Sequence, residues 1–303
     1  MSNAAPIVIG LGELLWDVFP DRRLPGGAPA NVAYQAGQLG CCGVVVSRVG
    51  TDDLGNELCS YLDEKGLDSI SVQRDPEHPT GRVTVELSAD GQPDFTIHEH
   101  VAWDFLAFDD ALQQVASQAA AVCFGTLAQR SPITRQTIHQ VLASTQQNCL
   151  RVYDVNLRQQ FYDRSWIEPS LERASVVKLN HDEVEVISGL LELPSDPIGF
   201  AGAVQDNYAI DWVCITRGAD GCLIVTNDET VDVPGRPVEV VDTVGAGDAF
   251  TAALISTRLE GWPLRPAAEF ANRVGGLVAS RSGAMPTLTD ELAELRTEFG
   301  RGA

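Results

Sequence analysis

The sequence predicts an α/β fold, in which a mostly parallel central sheet is flanked by helices on both faces. Short runs rich in β-branched residues alternate with amphipathic stretches along nearly the whole chain, and this alternation is typical of strands joined by crossover helices. The length of 303 residues is sufficient for one large core with a small appendage, but it is short for three separate domains. We therefore expect a single domain over residues 1–303.

The predicted strands are short and apolar, as expected for strands that are buried on both faces. In chain order they cover residues 7–12, 44–49, 121–124, 151–155, 176–179, 213–216 and 222–225. Between and after them come longer stretches with apolar residues at helical spacing. These stretches predict helices at residues 30–39, 54–65, 133–145, 182–187, 199–208, 247–259, 266–280 and 290–299.

One region in the first half of the chain departs from this alternation. Within residues 71–99, polar and apolar residues alternate at 82–87 and again at 95–99, and the turn-forming sequence D-G-Q-P at 90–93 separates the two stretches. This pattern predicts an antiparallel ribbon without helices. Inserted into an α/β chain, the ribbon and part of residues 12–25 would form a small β lid. The edge of this lid could pair across a homodimer.

The chain is strongly acidic, with 21 Lys and Arg against 42 Asp and Glu and a formal net charge of -21. A surface that binds nucleic acid needs the opposite sign, so DNA and RNA are not expected as partners. No stretch has the roughly 20 uninterrupted apolar residues of a membrane helix, and the first residues lack a signal-peptide pattern. We therefore expect a cytoplasmic protein without a membrane partner. The seven cysteines include no C-x-x-C pair, which argues against a zinc or disulfide framework.

The strongest functional signal is the sequence D-T-V-G-A-G-D-A-F at residues 242–250, which a helical stretch follows. The small residues Gly245, Ala246 and Gly247 would let backbone N–H groups approach an anion where the helix dipole also favours negative charge. A transferring phosphoryl group suits such a site. Asp248 would lie in the first turn, where a carboxylate can accept a proton from an attacking hydroxyl group. The alternative is an ordinary acidic residue at a helix start.

This sequence resembles the C-terminal signature of the ribokinase-like, or PfkB, carbohydrate kinase family. In that family the matching Gly-Ala-Gly backbone forms an anion hole, and the last Asp is the catalytic base. Five further motifs resemble those of the family and occur in the same order: G-G-A-P-A-N at 26–31, G-T-D-D-L-G at 50–55, D-V-N-L-R at 154–158, N-H-D-E at 180–183 and T-R-G-A-D-G at 216–221. The resemblance implies a ribokinase-like fold and an ATP-dependent sugar kinase.

The resemblance and the chemistry of the residues agree on a site for the sugar. Gly27, before a helical run, would give a ligand close access, and Asn31 one turn later can both donate and accept hydrogen bonds. Asp17, just after the first strand, supplies acceptor oxygens that suit vicinal hydroxyl groups. Arg158 could contact phosphate or sugar. The structural alternatives are a turn for Asp17, a helix start for Asn31 and a solvated loop for Arg158.

Other matches imply sites for the nucleotide and for metal ions. Asn180 and Glu183 follow an apolar strand and would support Mg²⁺ through water near the phosphates of ATP, with a helix-start pair as the alternative. Thr216, Gly218 and Gly221 would support the nucleotide, and a simple turn between strands is the competing explanation. The family often needs a monovalent cation near the anion hole as well. The corresponding positions for K⁺ are Asp242, Val244 and Gly283.

The form G-G-A-P-A-N at 26–31 resembles the one typical of bacterial fructokinases, and this resemblance implies fructose as the acceptor and fructose 6-phosphate as the product. The first alternative is a 2-keto-3-deoxygluconate kinase or another small-sugar kinase, because Arg158 or Arg82 could bind a substrate carboxylate. A non-catalytic sensor of sugar or nucleotide on the same fold is a second alternative, although Asp248 and the glycines of the anion hole are present. A dinucleotide-binding oxidoreductase is disfavoured, because G-L-G-E-L-L at residues 10–15 ends in leucine instead of a small residue.

Overall fold

The computed structural model describes residues 4–87 and 93–300, which form a large and a small β-sheet with flanking helices. In chain order the strands are β1 (Ile7–Leu11), β2 (Leu15–Val18), β3 (Arg23–Gly26), β4 (Cys42–Gly50), β5 (Val72–Asp75), β6 (Gly81–Leu87), β7 (Pro93–Ile97), β8 (Ala121–Phe124), β9 (Leu150–Asp154), β10 (Val176–Asn180), β11 (Trp212–Thr216), β12 (Cys222–Thr226) and β13 (Thr230–Val233). The helices are α1 (Ala28–Gln38), α2 (Asp53–Glu64), α3 (Asp110–Gln118), α4 (Pro132–Ser144), α5 (Arg164–Leu171), α6 (His181–Leu191), α7 (Pro197–Tyr208), α8 (Ala246–Leu259), α9 (Leu264–Ala279) and α10 (Thr289–Gly300).

The large sheet has nine strands in the order β13-β12-β11-β10-β9-β8-β1-β4-β5. The strands from β5 across to β11 are all parallel, whereas β12 is antiparallel to both of its neighbours. This arrangement confirms the mostly parallel sheet that the sequence predicts. Because parallel strands end at the same edge of a sheet, the loops that follow β1, β9, β10 and β11 lie next to one another, where open α/β sheets bind ligands.

Helices cover both faces of the large sheet. Successive residues of β1 point to opposite faces, as strand geometry requires. Ile9 packs into a core formed with α3 to α7, and Val8 packs into a second core formed with α1, α8, α9 and α10. Both side chains are fully buried. The two cores confirm the predicted placement of helices on both faces.

The small sheet has four strands in the order β3-β2-β6-β7. It combines both arms of the predicted ribbon, β6 and β7, with two strands from residues 15–26. Leu15, Val83 and Val85 form a separate buried cluster there. The turn predicted at 90–93 lies outside the described residues, except for Pro93, with which β7 begins. β3 and β7 are the edge strands of this sheet, and pairing of such an edge across a homodimer remains a prediction.

Residues 72–75 do not belong to the small sheet, although the predicted ribbon includes them. They form β5, which pairs in parallel with β4 at the edge of the large sheet. Val72 and Asp75 are buried in this position, and Arg74 is exposed. Alternating polarity indicates a half-buried strand, but it does not specify which sheet the strand joins. The prediction that the ribbon begins at residue 71 is therefore wrong.

Several other elements differ from the prediction. α1 begins at Ala28 instead of residue 30, because Pro29 fits a first helical turn, where its nitrogen needs no hydrogen bond. α6 ends at Leu191 instead of residue 187. α3, α5 and β13 were not predicted, and α5 contains Pro169, a residue that argues against a helix in sequence terms. Among the described residues, no helix combines the length and apolar character needed to cross a bilayer.

Candidate active site

The candidate site begins at the N-terminus of α8. Gly245 precedes this helix with a φ of 78°, in the left-handed region that favours glycine. A Cβ atom at Gly245 would lie only 2.6 Å from Cα of Ala284, so no larger residue fits without a backbone shift. The N–H groups of Gly247 and Asp248 have no acceptor within the helix, and the N–H of Ala246 makes one long hydrogen bond of 3.3 Å to the backbone oxygen of Thr243. Together with the helix dipole they form a site suited to an anion.

Asp248 lies in the first turn of α8 and contacts the predicted sugar site. Its Oδ2 accepts a hydrogen bond of 2.8 Å from Nδ2 of Asn31, although 217 positions separate the two residues in the sequence. Burial raises the pKa of Asp248 from 3.8 to about 6, and repulsion from Asp154 adds to this effect. The hydrogen bond from Asn31 and the charge of Lys178 partly offset the increase. A carboxylate with this pKa is ionised at neutral pH and basic enough for general-base catalysis.

A buried ion pair lies next to the anion site. Nζ of Lys178 lies 3.0 and 3.2 Å from the two carboxylate oxygens of Asp154. The hydroxyl group of Thr251 donates a 2.9 Å hydrogen bond to the same carboxylate. A Cβ atom on Gly247 would lie 3.2 Å from Nζ of Lys178. Burial disfavours the charged lysine, but nearby carboxylates, above all Asp154, outweigh it and raise the pKa of Lys178. A fixed cation therefore lies beside the backbone that would hold a phosphoryl group.

The other three residues predicted to bind the sugar are Asp17, Gly27 and Arg158. Asp17 is half-buried on β2 of the small sheet, and burial raises its pKa from 3.8 to about 6. Gly27 precedes α1 with a φ of 122°, and a Cβ atom there would lie 2.4 Å from the backbone oxygen of Glu13. Arg158 is exposed on the loop after β9, and its charge lowers the pKa of both Asp17 and Asp248. The cation is thus within electrostatic range of both carboxylates, and the binding roles of these residues remain predictions.

Asn180 and Glu183 form a reciprocal cap at the start of α6. Oδ1 of Asn180 accepts a 2.8 Å hydrogen bond from the N–H of Glu183, and Oε2 of Glu183 accepts one of 2.7 Å from the N–H of Asn180. Oε1 of Glu183 accepts a further bond of 2.8 Å from the N–H of Leu157. This is the helix-start arrangement, and the remaining lone pairs are free to accept water. The pair thus fits a hydrated Mg²⁺, and magnesium binding remains a prediction.

A groove of about 540 Å³ opens beside this cap. It is lined by Thr216 and Gly218 together with Asn180, His181, Asp182, Arg217 and Asp220. The structure therefore gathers residues from the two motifs predicted to bind metal and nucleotide. Gly221 has a packing explanation, since its φ is 90° and a Cβ atom there would lie 2.1 Å from the backbone oxygen of Val233. Binding of the nucleotide in this groove remains a prediction.

The residues predicted for K⁺ are joined through one carboxylate. The oxygens of Asp242 accept hydrogen bonds of 3.0 Å from the N–H groups of Val244 and Gly283. The loop before α8 is thereby tied to the turn after α9. These bonds give Asp242 a structural role beside the anion site, and potassium binding at this position remains a prediction.

Two buried charged residues near the site, Glu13 and Lys178, were not predicted from the sequence. Glu13 follows β1 and is only 5% exposed. Burial raises its pKa from 4.5 to about 7, and charge effects on it come from Arg158 and Asp248. A sequence signal for Lys178 exists, because this lysine interrupts an apolar strand and is one of only two lysines in the chain. For Glu13 the signal is a carboxylate that closely follows a buried strand.

The geometry agrees with the similarities that this chain has to known proteins. The model of the pfkB family carbohydrate kinases matches residues 12–291. A fructokinase from Salmonella typhimurium is 32% identical, over 92% of this chain and 94% of that protein. A fructokinase with bound ATP from Xylella fastidiosa has a TM-score of 0.85 at 23% identity, over 97% of this chain and 99% of the other. A fructokinase from Vibrio cholerae O395, in a form with bound fructose, ADP and calcium ion, has a TM-score of 0.78 at 25% identity, over 97% and 98% of the two chains.

These similarities extend over nearly the full length of the compared chains. The family match includes every candidate residue from Asp17 to Gly283. The structural similarity confirms the predicted ribokinase-like fold, and the family match confirms a carbohydrate kinase. The chain therefore belongs to the pfkB family of carbohydrate kinases.

Proposed function

We propose that this protein is a fructokinase, which transfers the γ-phosphate of ATP to fructose and forms fructose 6-phosphate. The hydrogen bond between Asn31 and Asp248 carries the proposal, because it joins the candidate base to the motif in the form typical of bacterial fructokinases. The fructokinase names of similar proteins in Salmonella typhimurium and Vibrio cholerae add support for fructose as the acceptor.

In the proposed reaction, Asp248 accepts the proton of the attacking hydroxyl group. The hydroxyl oxygen forms a bond to the γ-phosphorus while the bond between that phosphorus and the ADP oxygen breaks. The N–H groups of the first turn of α8, with Lys178 next to them, stabilise the charge on the transferring group. Mg²⁺, held through water by Asn180 and Glu183, would neutralise charge on the phosphates. The small sheet that carries Asp17 would act as a lid that excludes water.

The charges around the acceptor position favour a neutral sugar. Glu13, Asp17 and Asp248 are carboxyl groups whose pKa values burial raises, and Arg158 is the cation whose charge acts on all three. An acceptor with its own carboxylate or phosphate would add repulsion to this group. The excess of carboxyl groups over cations therefore disfavours 2-keto-3-deoxygluconate and fructose 6-phosphate as acceptors. It favours an uncharged acceptor such as fructose, which is recognised through hydroxyl groups.

Free fructose is expected to give a higher kcat/KM than ribose, adenosine, 2-keto-3-deoxygluconate or fructose 6-phosphate in an assay of ADP release. Asp17→Asn should lower kcat/KM for fructose by about 10-fold or more, because a charged hydrogen bond of about 1.5 to 3 kcal/mol is lost. Asp21→Asn is the matched control, because its side chain is 73% exposed at the turn between β2 and β3. A higher kcat/KM for either acidic acceptor would overturn fructose as the substrate and leave the kinase assignment intact.

Glu183→Gln is expected to raise the Mg²⁺ concentration for half-maximal activity by about 10-fold or more, as for other residues that hold metal-bound water. The substitution removes the charge and keeps one oxygen, which can still accept the hydrogen bond from the N–H of Asn180 and cap α6, but the hydrogen bond from the N–H of Leu157 is lost. Glu185→Gln, exposed on the same helix, should leave the Mg²⁺ titration unchanged. If Glu183→Gln also leaves it unchanged, then Asn180 and Glu183 serve only to start the helix.

A further inference from the structure

Glu13 is a buried carboxylate that the proposed reaction does not use. It lies between β1 and β2, at the edge of the large sheet where the parallel strands end. Its side chain is only 5% exposed, yet Oε2 has no hydrogen-bond partner among the described residues. Buried polar atoms without a partner are rare in folded proteins, and each one needs an explanation. A ligand that supplies the missing hydrogen bond is one such explanation.

Glu13 lies against the sugar motif. Its backbone oxygen would be 2.4 Å from a Cβ atom on Gly27, so its main chain packs directly on the glycine that precedes α1. The next turn of that helix carries Asn31, whose Oδ1 is also buried without a partner among the described residues. The other end of the same amide donates to Asp248. Two unpartnered acceptor atoms, Glu13 Oε2 and Asn31 Oδ1, thus belong to residues in neighbouring parts of one site.

The charge of Asp248, the proposed catalytic base, affects the pKa of Glu13. Repulsion from Asp248 is one of the influences that raise the pKa of Glu13, after the larger effect of burial, while Arg158 and backbone N–H groups act in the opposite direction. The two carboxyl groups are therefore close enough to interact through the protein interior. No cation of the described residues forms an ion pair with Glu13, so the carboxylate is free to accept a hydrogen bond from a bound molecule.

We propose that Glu13 is a sugar-binding residue, whose Oε2 accepts a hydrogen bond from a hydroxyl group of the acceptor other than the one that is phosphorylated. This inference rests on the proposed function of the site. A hydroxyl group satisfies an unpartnered carboxylate oxygen, whereas a carboxylate or phosphate of a ligand brings only acceptors and further negative charge. Glu13 would thereby select a neutral polyol at a position different from that of Asp17.

The test combines Glu13→Gln with fructose analogues that each lack one hydroxyl group. For wild-type protein, we expect one deoxyfructose to give a kcat/KM about 10-fold or more below that of fructose, because a site built to bind a hydroxyl group leaves its own polar atom unpaired without it. Glu13→Gln should lower kcat/KM for fructose by about 10-fold but change the value for that one analogue by less than about 2-fold. The KM for ATP should stay unchanged.

A merely structural role of Glu13 predicts a different pattern. In that case Glu13→Gln would lower kcat/KM by the same factor for fructose and for every deoxyfructose, and this result would overturn the proposal. No change for any substrate would overturn it as well. Thermal unfolding should show that Glu13→Gln is folded and at least as stable as wild type, because the substitution removes a buried charge. Glu64→Gln, at an exposed position at the end of α2, is the control for loss of one negative charge.

The proposed function is tested separately, by the kcat/KM values of wild-type protein for different sugars. If wild type phosphorylates another sugar better than fructose, the fructokinase proposal fails, and the same comparison is made with deoxy analogues of that sugar. Loss of discrimination against one analogue would then still support a sugar-binding role for Glu13.

Discussion

Asp248→Asn is expected to lower kcat by at least ~10²-fold while the fold and ATP binding are retained, because a positioned general base contributes that much or more. The amide cannot accept the proton of the attacking hydroxyl group. It can still pair with Asn31, so the contact between α1 and α8 need not be lost. ADP release with fructose measures the turnover, and calorimetric titration with ATP measures nucleotide binding.

The control separates a catalytic role from a helix-start role. Asp110 occupies the first turn of α3 and is exposed, so Asp110→Asn removes the same charge from a comparable helical position. It should leave turnover within about 2-fold of wild type, since charges at a helix start contribute only about 0.3 to 1 kcal/mol to stability. Near-wild-type turnover of Asp248→Asn would remove this residue from the mechanism.

The pH dependence gives a second check on the same base. Asp248 must be ionised to accept a proton, and its pKa is about 6 in the folded protein. As the pH falls below this value, kcat/KM should therefore decrease by about 10-fold per pH unit. Asp17 has a pKa of about 6 as well, and Glu13 has a pKa of about 7, so Asp17→Asn and Glu13→Gln together test the assignment. If Asp248 is the base, both variants keep the decrease, and a flat profile in either one would contradict that role.

The sequence predicts the main parts of the site because local backbone requirements fix them. Gly245 has a left-handed φ and lies against Ala284, and glycine is the residue that meets both requirements. A glycine at this position therefore indicates the start of α8 from the sequence. The parallel order of the strands brings their ends to one edge. For this reason Asn31 and Asp248, each expected near a helix start, meet in a hydrogen bond.

The parts that could not be predicted depend on pairing between distant strands. Lys178 and Asp154 lie in register on neighbouring parallel strands, which makes their ion pair. The sequence alone gives neither the strand order nor the register, so Lys178 could not be matched with a partner. The same limit applies to β5, whose alternating residues fit either sheet, and to Glu13, whose burial depends on α1 packing beside it.

Lys178→Met is expected to lower the free energy of unfolding by about 3 to 5 kcal/mol, because removal of one partner of a buried ion pair leaves the other charge uncompensated. Asp154 is only 3% exposed, and its remaining partner Thr251 is neutral. Urea unfolding followed by circular dichroism measures the loss. Lys65→Met is the matched control, because Lys65 is the only other lysine in the sequence. Lys65 is half-buried; among the described residues its ammonium group has one hydrogen bond, to the backbone oxygen of Met285, and it lies over the rings of Tyr34 and Tyr61. Because it is not paired with a buried carboxylate, this substitution should cost only about 1 to 2 kcal/mol.

The double variant Asp154→Asn, Lys178→Met shows whether the uncompensated charge is the cause. Its free energy of unfolding should exceed that of Lys178→Met by at least about 1 to 2 kcal/mol, because no buried charge then lacks a partner. Turnover should remain low in the folded double variant, since the cation beside Gly247 is absent from the anion site. If the double variant is as unstable as Lys178→Met, the lysine stabilises the fold through packing instead of charge. If its turnover equals that of wild type, Lys178 has no part in stabilising the transferring phosphoryl group.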